Sequence, residues 1–246
     1  MLTFTNPTDK IPSSLPAPSP GFKFLYNLWR DGVTLVRAIA DEDIKYFFKY
    51  LLGAECIYEF GGSSDYYKSL FKGAKNYKVT GMSPGCDDIV NMTAMSLADN
   101  SIEANFSAFA LEHVSDYKKF IEESFRTLKP GGRILLVVPF IYCHHGAPDD
   151  YVRFSRSYLI DLFKDWNVIA TTDIGNRTTA IAEMWNEKPW MRLNSTRPQK
   201  LLLKVLSSIM TLLYIIKPTR CQSFPSAVLL FAEKPHIKLT VQNEKV

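Results

Sequence analysis

The sequence predicts an α/β fold with a parallel sheet covered by helices, and two apolar segments joined by a helix carry the prediction. The first apolar segment covers 104–111, and the second, an unbroken run of leucine and β-branched residues, covers 134–138. Such a run is typical of a strand covered on both faces. Between them Ser115 is the expected helix cap, and apolar side chains follow at helical spacing: Tyr117, Phe120, Ile121, Phe125 and Leu128. Two strands joined by a helix imply a parallel pair.

Length and composition favour a globular protein. The 246 residues, 46% apolar and 22% charged, suffice for one large α/β domain with extensions. A net charge of +4 is too small to predict a nucleic-acid partner. The four cysteines lie far apart without a Cys-x-x-Cys pair, so neither a disulfide framework nor a structural zinc site is expected, and no metal ligand is assigned. The first twenty residues lack the apolar core of a signal peptide, and we expect a cytoplasmic protein.

The chain divides into four segments. Residues 1–21 form an arm rich in Pro and Ser, and 22–53 form N-terminal helices that either cap a substrate pocket or only cover a sheet edge. Residues 54–236 form the main domain with an insertion at about 176–222, and 237–246 form a polar tail. The insertion is basic, because 174–222 holds eight Lys or Arg residues against two Glu. An anionic partner and a merely solvated basic face both fit this excess.

The other strands are expected at short apolar segments. The first strand is predicted at 56–60, the second at 78–82 and the third at 88–92. The sixth follows a helix capped by Ser155 and covers 168–174, and the last covers 227–233.

The stretch around the central helix resembles a known family. Leu111, Glu112, His113 and Val114 precede about fifteen helical residues and then the run Leu128-Lys129-Pro130-Gly131-Gly132, and 97–101 fits the loop before them. This stretch of sequence resembles the region from the fourth to the fifth strand of class I S-adenosylmethionine-dependent methyltransferases of type 11. The resemblance covers roughly 54–233. It implies a Rossmann-like, seven-stranded sheet with helices on both faces and an antiparallel last strand, and S-adenosylmethionine as cofactor.

The same resemblance implies a set of cofactor-binding positions, some of which depart from the family pattern. Ser63 and Asp65 stand where two glycines are expected, and Gly81 stands where a carboxylate would bind both ribose hydroxyls. Asn91 replaces an acid that holds the adenine amino group, and its side-chain oxygen can still accept that hydrogen bond. The implied positions are Glu59, Gly61, Gly62, Ser63, Gly81, Met82, Asn91, Met92, Leu111 and His113.

A second stretch, after the fifth strand, resembles a loop found in a methyltransferase branch associated with polysaccharide and glycan pathways. The matching residues are His145, Gly146, Pro148, Asp150, Tyr151, Arg153 and Phe154. Ligands bind at the carboxyl ends of strands in open α/β sheets, and methyl transfer requires an aligned acceptor that loses a proton. His145 is the candidate base, Asp150 its orienting partner, Arg153 a clamp for an anionic acceptor, and Tyr151 a further candidate. Alternatively, Asp150 and Arg153 form a structural pair and His145 is solvated.

The segment 200–217 is strongly apolar with one narrow polar stripe. Its uncharged run, 205–216, is shorter than the ~20 residues that span a bilayer, so we expect no transmembrane segment. An interfacial helix on an anionic membrane and burial against the sheet or a dimer partner both remain open. The stripe consists of Lys204, Ser207, Ser208 and Thr211.

The favoured function is methyl transfer to a small molecule or a sugar or glycan precursor, with no nucleic acid involved and the oligomeric state open. The alternative is a methyltransferase-like module that has lost catalysis and serves binding or scaffolding, as the substitutions at Ser63, Asp65 and Gly81 suggest. A nicotinamide-dependent oxidoreductase is disfavoured, because Gly61 lacks a suitable third glycine and no acid stands at Gly81.

Overall fold

A computed structural model describes residues 15–31, 34–62, 65–71, 73–146, 149–186 and 195–236. Most of the N-terminal arm, the tail and the calls on Ser63 and Pro148 therefore lie outside the described residues. A short 3₁₀ turn, Leu111–His113, adds to the following helices and strands: α1 (Lys23–Asp31), α2 (Leu35–Phe48), β1 (Ile57–Phe60), α3 (Tyr66–Leu70), β2 (Tyr77–Gly81), β3 (Asp88–Ile89), β4 (Ile102–Ala108), α4 (Tyr117–Thr127), β5 (Leu128–Pro139), α5 (Arg156–Leu162), β6 (Asn167–Ile174), α6 (Arg177–Trp185), α7 (Arg197–Ile216) and β7 (Ala227–Glu233).

The sheet confirms the predicted fold class. Its strand order is β3-β2-β1-β4-β5-β7-β6, and β1 to β5 pair in parallel. β7 runs antiparallel between β5 and β6, with Leu136 opposite Leu230. The strand order reverses between β1 and β4, so their carboxyl ends open a crevice where ligands bind in such sheets.

Several local boundaries differ from the sequence prediction, and three of the differences have a visible reason. β4 ends at Ala108 rather than at 111, because Phe109 takes a positive φ of 53° and turns the chain out of the strand. β3 ends at Ile89 rather than at 92, because the Asn91 side chain accepts from the Thr93 amide and closes a turn. α4 is capped by Asp116, whose side chain accepts from the Lys119 amide, and not by Ser115.

Helices cover both faces of the sheet. α4 and α5 bury Phe120 and Leu159 against one face. On the other face α2 packs on β5, β6 and β7, where Phe47 lies 5.6 Å from Phe231 between ring centroids. α2 therefore covers the face of the central strands rather than a sheet edge.

Arg220 fastens the arm to this second face. Its guanidinium donates to both carboxylate oxygens of buried Asp43, at 2.6 and 2.8 Å. It also donates to three backbone carbonyls, those of Leu15, Pro16 and Asp173, at 2.9 to 3.0 Å. One side chain thus connects residues 15–16 with α2, β6 and the segment before β7.

α7 packs in the opposite sense to an ordinary amphipathic helix, because its polar stripe points inward. Ser207 and Thr211 are buried, and the Ser207 hydroxyl donates to the Ala182 carbonyl of α6. The apolar side is exposed, with Leu202 at 58% and Ile216 at 65%. The expected burial of this helix against the sheet is therefore wrong.

By length and composition, α7 qualifies as a helix able to cross a membrane, the one such helix among the described residues. It has 20 residues, and its most apolar window of 18 residues has a mean hydropathy of 1.5 and is 22% buried. The prediction of no transmembrane segment counted only the uncharged run at 205–216, which is shorter than the whole helix. The helix nevertheless packs along α6 on its polar side, so lipid could not surround it in this fold.

Candidate functional site

The turn after β1 places glycine against β4. Gly61 has a φ of +79°, and a Cβ at that position would collide with the Ala110 side chain. Met92 lies 4.0 Å from the same point, at the edge of the turn. Only glycine fits a left-handed position this close to another strand. The turn and the end of β4 are therefore in direct contact, which joins two parts of the predicted cofactor site.

Glu59 lies beneath this turn and is not directed outward. Its buried carboxylate accepts from the Tyr77 hydroxyl at 2.8 Å. Burial raises the pKa of Glu59 to about 7, and the Tyr77 hydrogen bond offsets only part of this effect. Glu59 thus supports the turn from below.

At the end of β2, Gly81 is enclosed by backbone. A Cβ at Gly81 would stand 2.5 Å from the Gly62 carbonyl oxygen and 3.1 Å from the Cys86 sulfur. The ribose-binding carboxylate of the family pattern therefore cannot be accommodated at this position without moving the turn. Asp87 and Asp88 do not replace it, because they pair with Lys68 and Lys78 at 3.0 and 2.9 Å.

The predicted adenine side is only partly available. The Asn91 side-chain oxygen already accepts two hydrogen bonds from Thr93, at 2.8 and 3.0 Å. Met82 is 73% exposed, whereas Leu111 is fully buried in the core below the site. An adenine contact at Asn91 would have to share the oxygen or use the amide nitrogen.

Beyond β4 and β5, three polar side chains converge: Glu112, His113 and His145. The ligand atoms of this cluster lie within 4.8 Å of one another. The Nε2 atoms of His113 and His145 are 3.8 and 3.9 Å from the Glu112 Oε1 atom. The two imidazole rings meet edge to face, with centroids 4.8 Å apart. We call these residues the Glu-His-His cluster.

Backbone carbonyls determine which nitrogen of each imidazole carries the proton. His113 Nδ1 is 2.6 Å from the Asp149 carbonyl, and His145 Nδ1 is 3.2 Å from the Cys143 carbonyl. A carbonyl only accepts, so Nδ1 is the donor in both rings. In the neutral imidazoles both Nε2 lone pairs therefore face Glu112, and His145 can receive a proton there.

Asp150 and Arg153 form a pair with each other. Both Arg153 terminal nitrogens donate to the Asp150 carboxylate, and one also donates to the Cys143 carbonyl. Asp150 in turn accepts from the His145 backbone amide at 2.8 Å. Burial opposes ionisation of Asp150, but Arg153 and the His145 amide outweigh it and lower its pKa to about 2. The pair holds the His145 loop, which leaves Arg153 poorly placed to clamp an acceptor.

Tyr151 lies apart from the cluster. Its ring is 54% exposed and its hydroxyl donates to the Asp149 carboxylate at 3.2 Å. The described loop therefore brings together His145, Asp150 and Arg153, but not the Tyr151 hydroxyl.

Glu112 was not predicted as a site residue, although it stands beside His113 in the sequence. Its side chain is 1% exposed, and neither carboxylate oxygen hydrogen-bonds another described residue. Burial raises its pKa to about 7, while Arg153 acts weakly in the opposite sense. The sequence did contain a signal for it, because Glu112 and His113 follow β4 and His145 follows β5. Neighbouring parallel strands end at the same edge of the sheet, so these side chains could be expected to lie close together.

We expect Glu112→Gln to stabilise the protein at alkaline pH. The pKa of the carboxyl is raised from 4.5 to about 7 on folding, so the wild type loses stability as pH rises from 4.5 through 7. The amide carries no charge and escapes this loss. Urea unfolding with a metal chelator present should show a gain on the order of 2–3 kcal/mol at pH 8 and little change at pH 5. Glu42→Gln, at an exposed carboxylate, serves as the control; equal gains at both pH values would contradict the assignment.

Comparisons with known proteins agree with the observed fold. Residues 68–136 match a family model described as a methyltransferase domain. A methyltransferase from Archaeoglobus fulgidus, described as SAM dependent, covers 87% of this chain and 100% of its own, with a TM-score of 0.55 and 11% identity. The chain has the class I methyltransferase fold. The [4+2]-cyclase SpnF is also similar, with a TM-score of 0.56, 14% identity and coverage of 91% and 99%.

The methyltransferase fold therefore leaves the reaction open, because one similar protein is described as a cyclase. A curated relative, the ubiquinone/menaquinone biosynthesis C-methyltransferase UbiE of Bartonella bacilliformis, is 36% identical over 64 residues. That match covers 26% of this chain and 25% of the relative. At such coverage the relative's substrate does not transfer to this chain.

Proposed function

We propose that the protein transfers a methyl group from S-adenosylmethionine to the oxygen of a small molecule, with the Glu-His-His cluster on the acceptor side. The supporting observation is continuity between two parts of the crevice. Gly61 touches Ala110, and Ala110 precedes Glu112 by two residues. A cofactor held over the glycine turn would therefore lie beside the segment that leads into the Glu-His-His cluster.

In this proposal the acceptor hydroxyl gives its proton to His145 Nε2. Bound S-adenosylmethionine would supply the methyl group: the acceptor oxygen would form the new bond to carbon, and the carbon–sulfur electron pair would leave with sulfur. Burial lowers the pKa of His145, so the ring is neutral and able to accept a proton at pH 7. The Cys143 carbonyl and Asp150 hold the ring and its loop.

For the acceptor, we propose a sugar hydroxyl or a glycan precursor. The support is the loop from His145 to Phe154, whose resemblance is to enzymes of polysaccharide and glycan pathways. An acceptor with a strongly anionic group would need a partner other than Arg153, which is already paired with Asp150.

Calorimetric titration of the purified chain with S-adenosylmethionine and S-adenosylhomocysteine tests the cofactor assignment. We expect saturable binding, and micromolar affinity would direct the search to acceptors such as glycan intermediates. No binding up to millimolar concentration, with and without such acceptors, would contradict it and favour the non-catalytic binding module instead.

We also propose that the protein works at the surface of an anionic membrane, docked through α7 and α1. The exposed apolar residues of α7 recur from Leu201 to Ile216, or along about 22 Å of helix. Trp29 of α1 is attached to α7 through its indole N–H, which donates to Ser208 at 2.9 Å. We call this surface the apolar face: Phe22, Tyr26, Trp29, Leu201, Leu202, Val205, Ile209, Leu213 and Ile216.

The distribution of charge supports an anionic bilayer as the occupant. Arg197, Lys200 and Lys204 lie along the first half of α7, and Lys217 follows its end, with no acidic residue in the helix. Basic residues beside an apolar helix face, with Trp and Tyr at its margin, are typical of helices that lie in a lipid interface.

Leu202→Asp/Ile209→Asp should reduce binding to phosphatidylserine-containing vesicles at least roughly tenfold, since it removes two large apolar contacts. Co-sedimentation measures the bound fraction, and phosphatidylcholine vesicles should bind the wild type more weakly. The matched control is Ile89→Asp/Ile160→Asp, at two exposed isoleucines off the apolar face. Absence of vesicle binding by the wild type would contradict the membrane proposal. A dimer that Leu202→Asp/Ile209→Asp alone dissociates would show that a second copy of the chain covers the apolar face.

A further inference from the structure

We propose that the Glu-His-His cluster binds a divalent transition-metal cation of the zinc class. Two Nε2 lone pairs and a carboxylate oxygen face one another across 3.8 and 3.9 Å. These gaps exceed a hydrogen bond between nitrogen and oxygen. Three acceptors facing each other repel unless a proton or a cation lies between them.

The burial of Glu112 is the independent observation. With its side chain 1% exposed and no hydrogen bond to another described residue, an ionised carboxylate there lacks the partner that buried charges require. Arg153, which is near enough to affect its pKa, gives its terminal nitrogens to Asp150 and Cys143. A cation would supply the missing charge.

The surroundings of the two imidazoles also fit metal ligation. Ligating histidines usually donate their second ring N–H to a carbonyl or carboxylate, which fixes the tautomer. His113 and His145 do so through the carbonyls of Asp149 and Cys143. Two imidazoles and one carboxylate leave a coordination position free for a water or an acceptor oxygen.

The cluster requires only a small contraction to bind zinc. Bonds of about 2.0–2.1 Å in a tetrahedral site separate ligand atoms by roughly 3.3 Å. The spacings to Glu112 are 3.8 and 3.9 Å, and all ligand atoms lie within 4.8 Å. Zinc binding would therefore shorten the two distances to Glu112 by about 0.5 Å and the widest spacing by at most about 1.5 Å.

This inference rests on the proposed methyl transfer for the role of the cation, and it replaces His145 as the proton acceptor whenever the cation is bound. With a cation bound, His145 Nε2 is a ligand and cannot accept a proton. An acceptor hydroxyl at the free position would instead lose its proton to water, because coordination lowers its pKa. Cation binding itself is measured without cofactor or acceptor, so its failure and the failure of methyl transfer are separate results.

The test is titration of the chelator-treated full chain with zinc, followed by calorimetry. We expect one ion per chain, and a loss in Glu112→Gln and His145→Ala larger than the ~10–100-fold that removal of an outer partner costs. The matched control is His144→Ala, an exposed histidine next to the cluster, which should bind as the wild type does. Thermal unfolding verifies that each variant is folded.

Cobalt substitution separates this cluster from the free thiols. The four cysteines Cys56, Cys86, Cys143 and Cys221 are free and could bind the same ions. We expect a visible cobalt spectrum without thiolate charge transfer, lost in Glu112→Gln. No saturable zinc binding in the micromolar range, equal binding in all variants, or a thiolate spectrum would overturn the proposal.

Discussion

Arg220→Ala is expected to lower the free energy of unfolding by roughly 3–5 kcal/mol, because it leaves a buried carboxylate without its partner. Asp43 is 3% exposed and receives two hydrogen bonds from this guanidinium. Burial already raises the pKa of Asp43 despite the Arg220 charge, so its ionised form is costly even in the wild type. The backbone carbonyls of Leu15, Pro16 and Asp173 lose a donor as well. Urea unfolding at pH 7 measures the difference.

Lys217→Ala is the matched control for Arg220, because it removes an exposed cation from the same segment. It should change stability by less than about 0.5 kcal/mol. Replacing both partners, as in Arg220→Met/Asp43→Leu, should recover much of the loss, because no buried charge remains. If Arg220→Ala lowers the free energy of unfolding no more than Lys217→Ala does, the hydrogen bonds of Arg220 do not stabilise the fold.

In the chelator-treated protein, His145→Ala is expected to reduce turnover by roughly 10²–10⁴-fold, the usual contribution of a general base, once an acceptor is in hand. The affinity for S-adenosylmethionine should stay within about twofold, because His145 is placed on the acceptor side of the proposed site and would not contact the cofactor. Single-turnover rates measure the first quantity and calorimetry the second.

The pH profile separates a proton acceptor from a residue that merely supports the loop. Burial lowers the pKa of His145 below its ordinary 6.5, so with a metal chelator present the wild-type rate should fall only on the acidic side of that value. His144→Ala should retain both rate and profile. Unchanged turnover in His145→Ala would remove His145 from the mechanism.

The sheet and most helix positions were predictable, because they depend on local periodicity. The run at 134–138 is buried on both faces, as its composition indicates. The predicted ends of β4 and β3 were wrong because a single backbone angle, at Phe109, and a single side chain, that of Asn91, end these strands. Such features depend on contacts with neighbouring turns, which periodicity does not contain.

The candidate site was predictable residue by residue only in part. His145 and His113 were recognised by resemblance, but in different roles, and Glu112 was not. Their convergence depends on the parallel register of β4 and β5, where Ser107 pairs with Leu136. The inward polar stripe of α7 was visible as a pattern, yet its direction depends on which side meets α6, and hydropathy alone favours the opposite choice.

The closed position at Gly81 also bears on how the spent cofactor leaves. A ribose-binding carboxylate would hold S-adenosylmethionine and S-adenosylhomocysteine equally, because both carry the same ribose. Its exclusion by the Gly62 carbonyl therefore weakens both complexes alike and leaves the preference between them unchanged. Where departure of the demethylated product limits the cycle, a looser hold shortens that step. In the proposed methyl transfer, the protein would then bind its cofactor less tightly and exchange the used molecule for a fresh one faster.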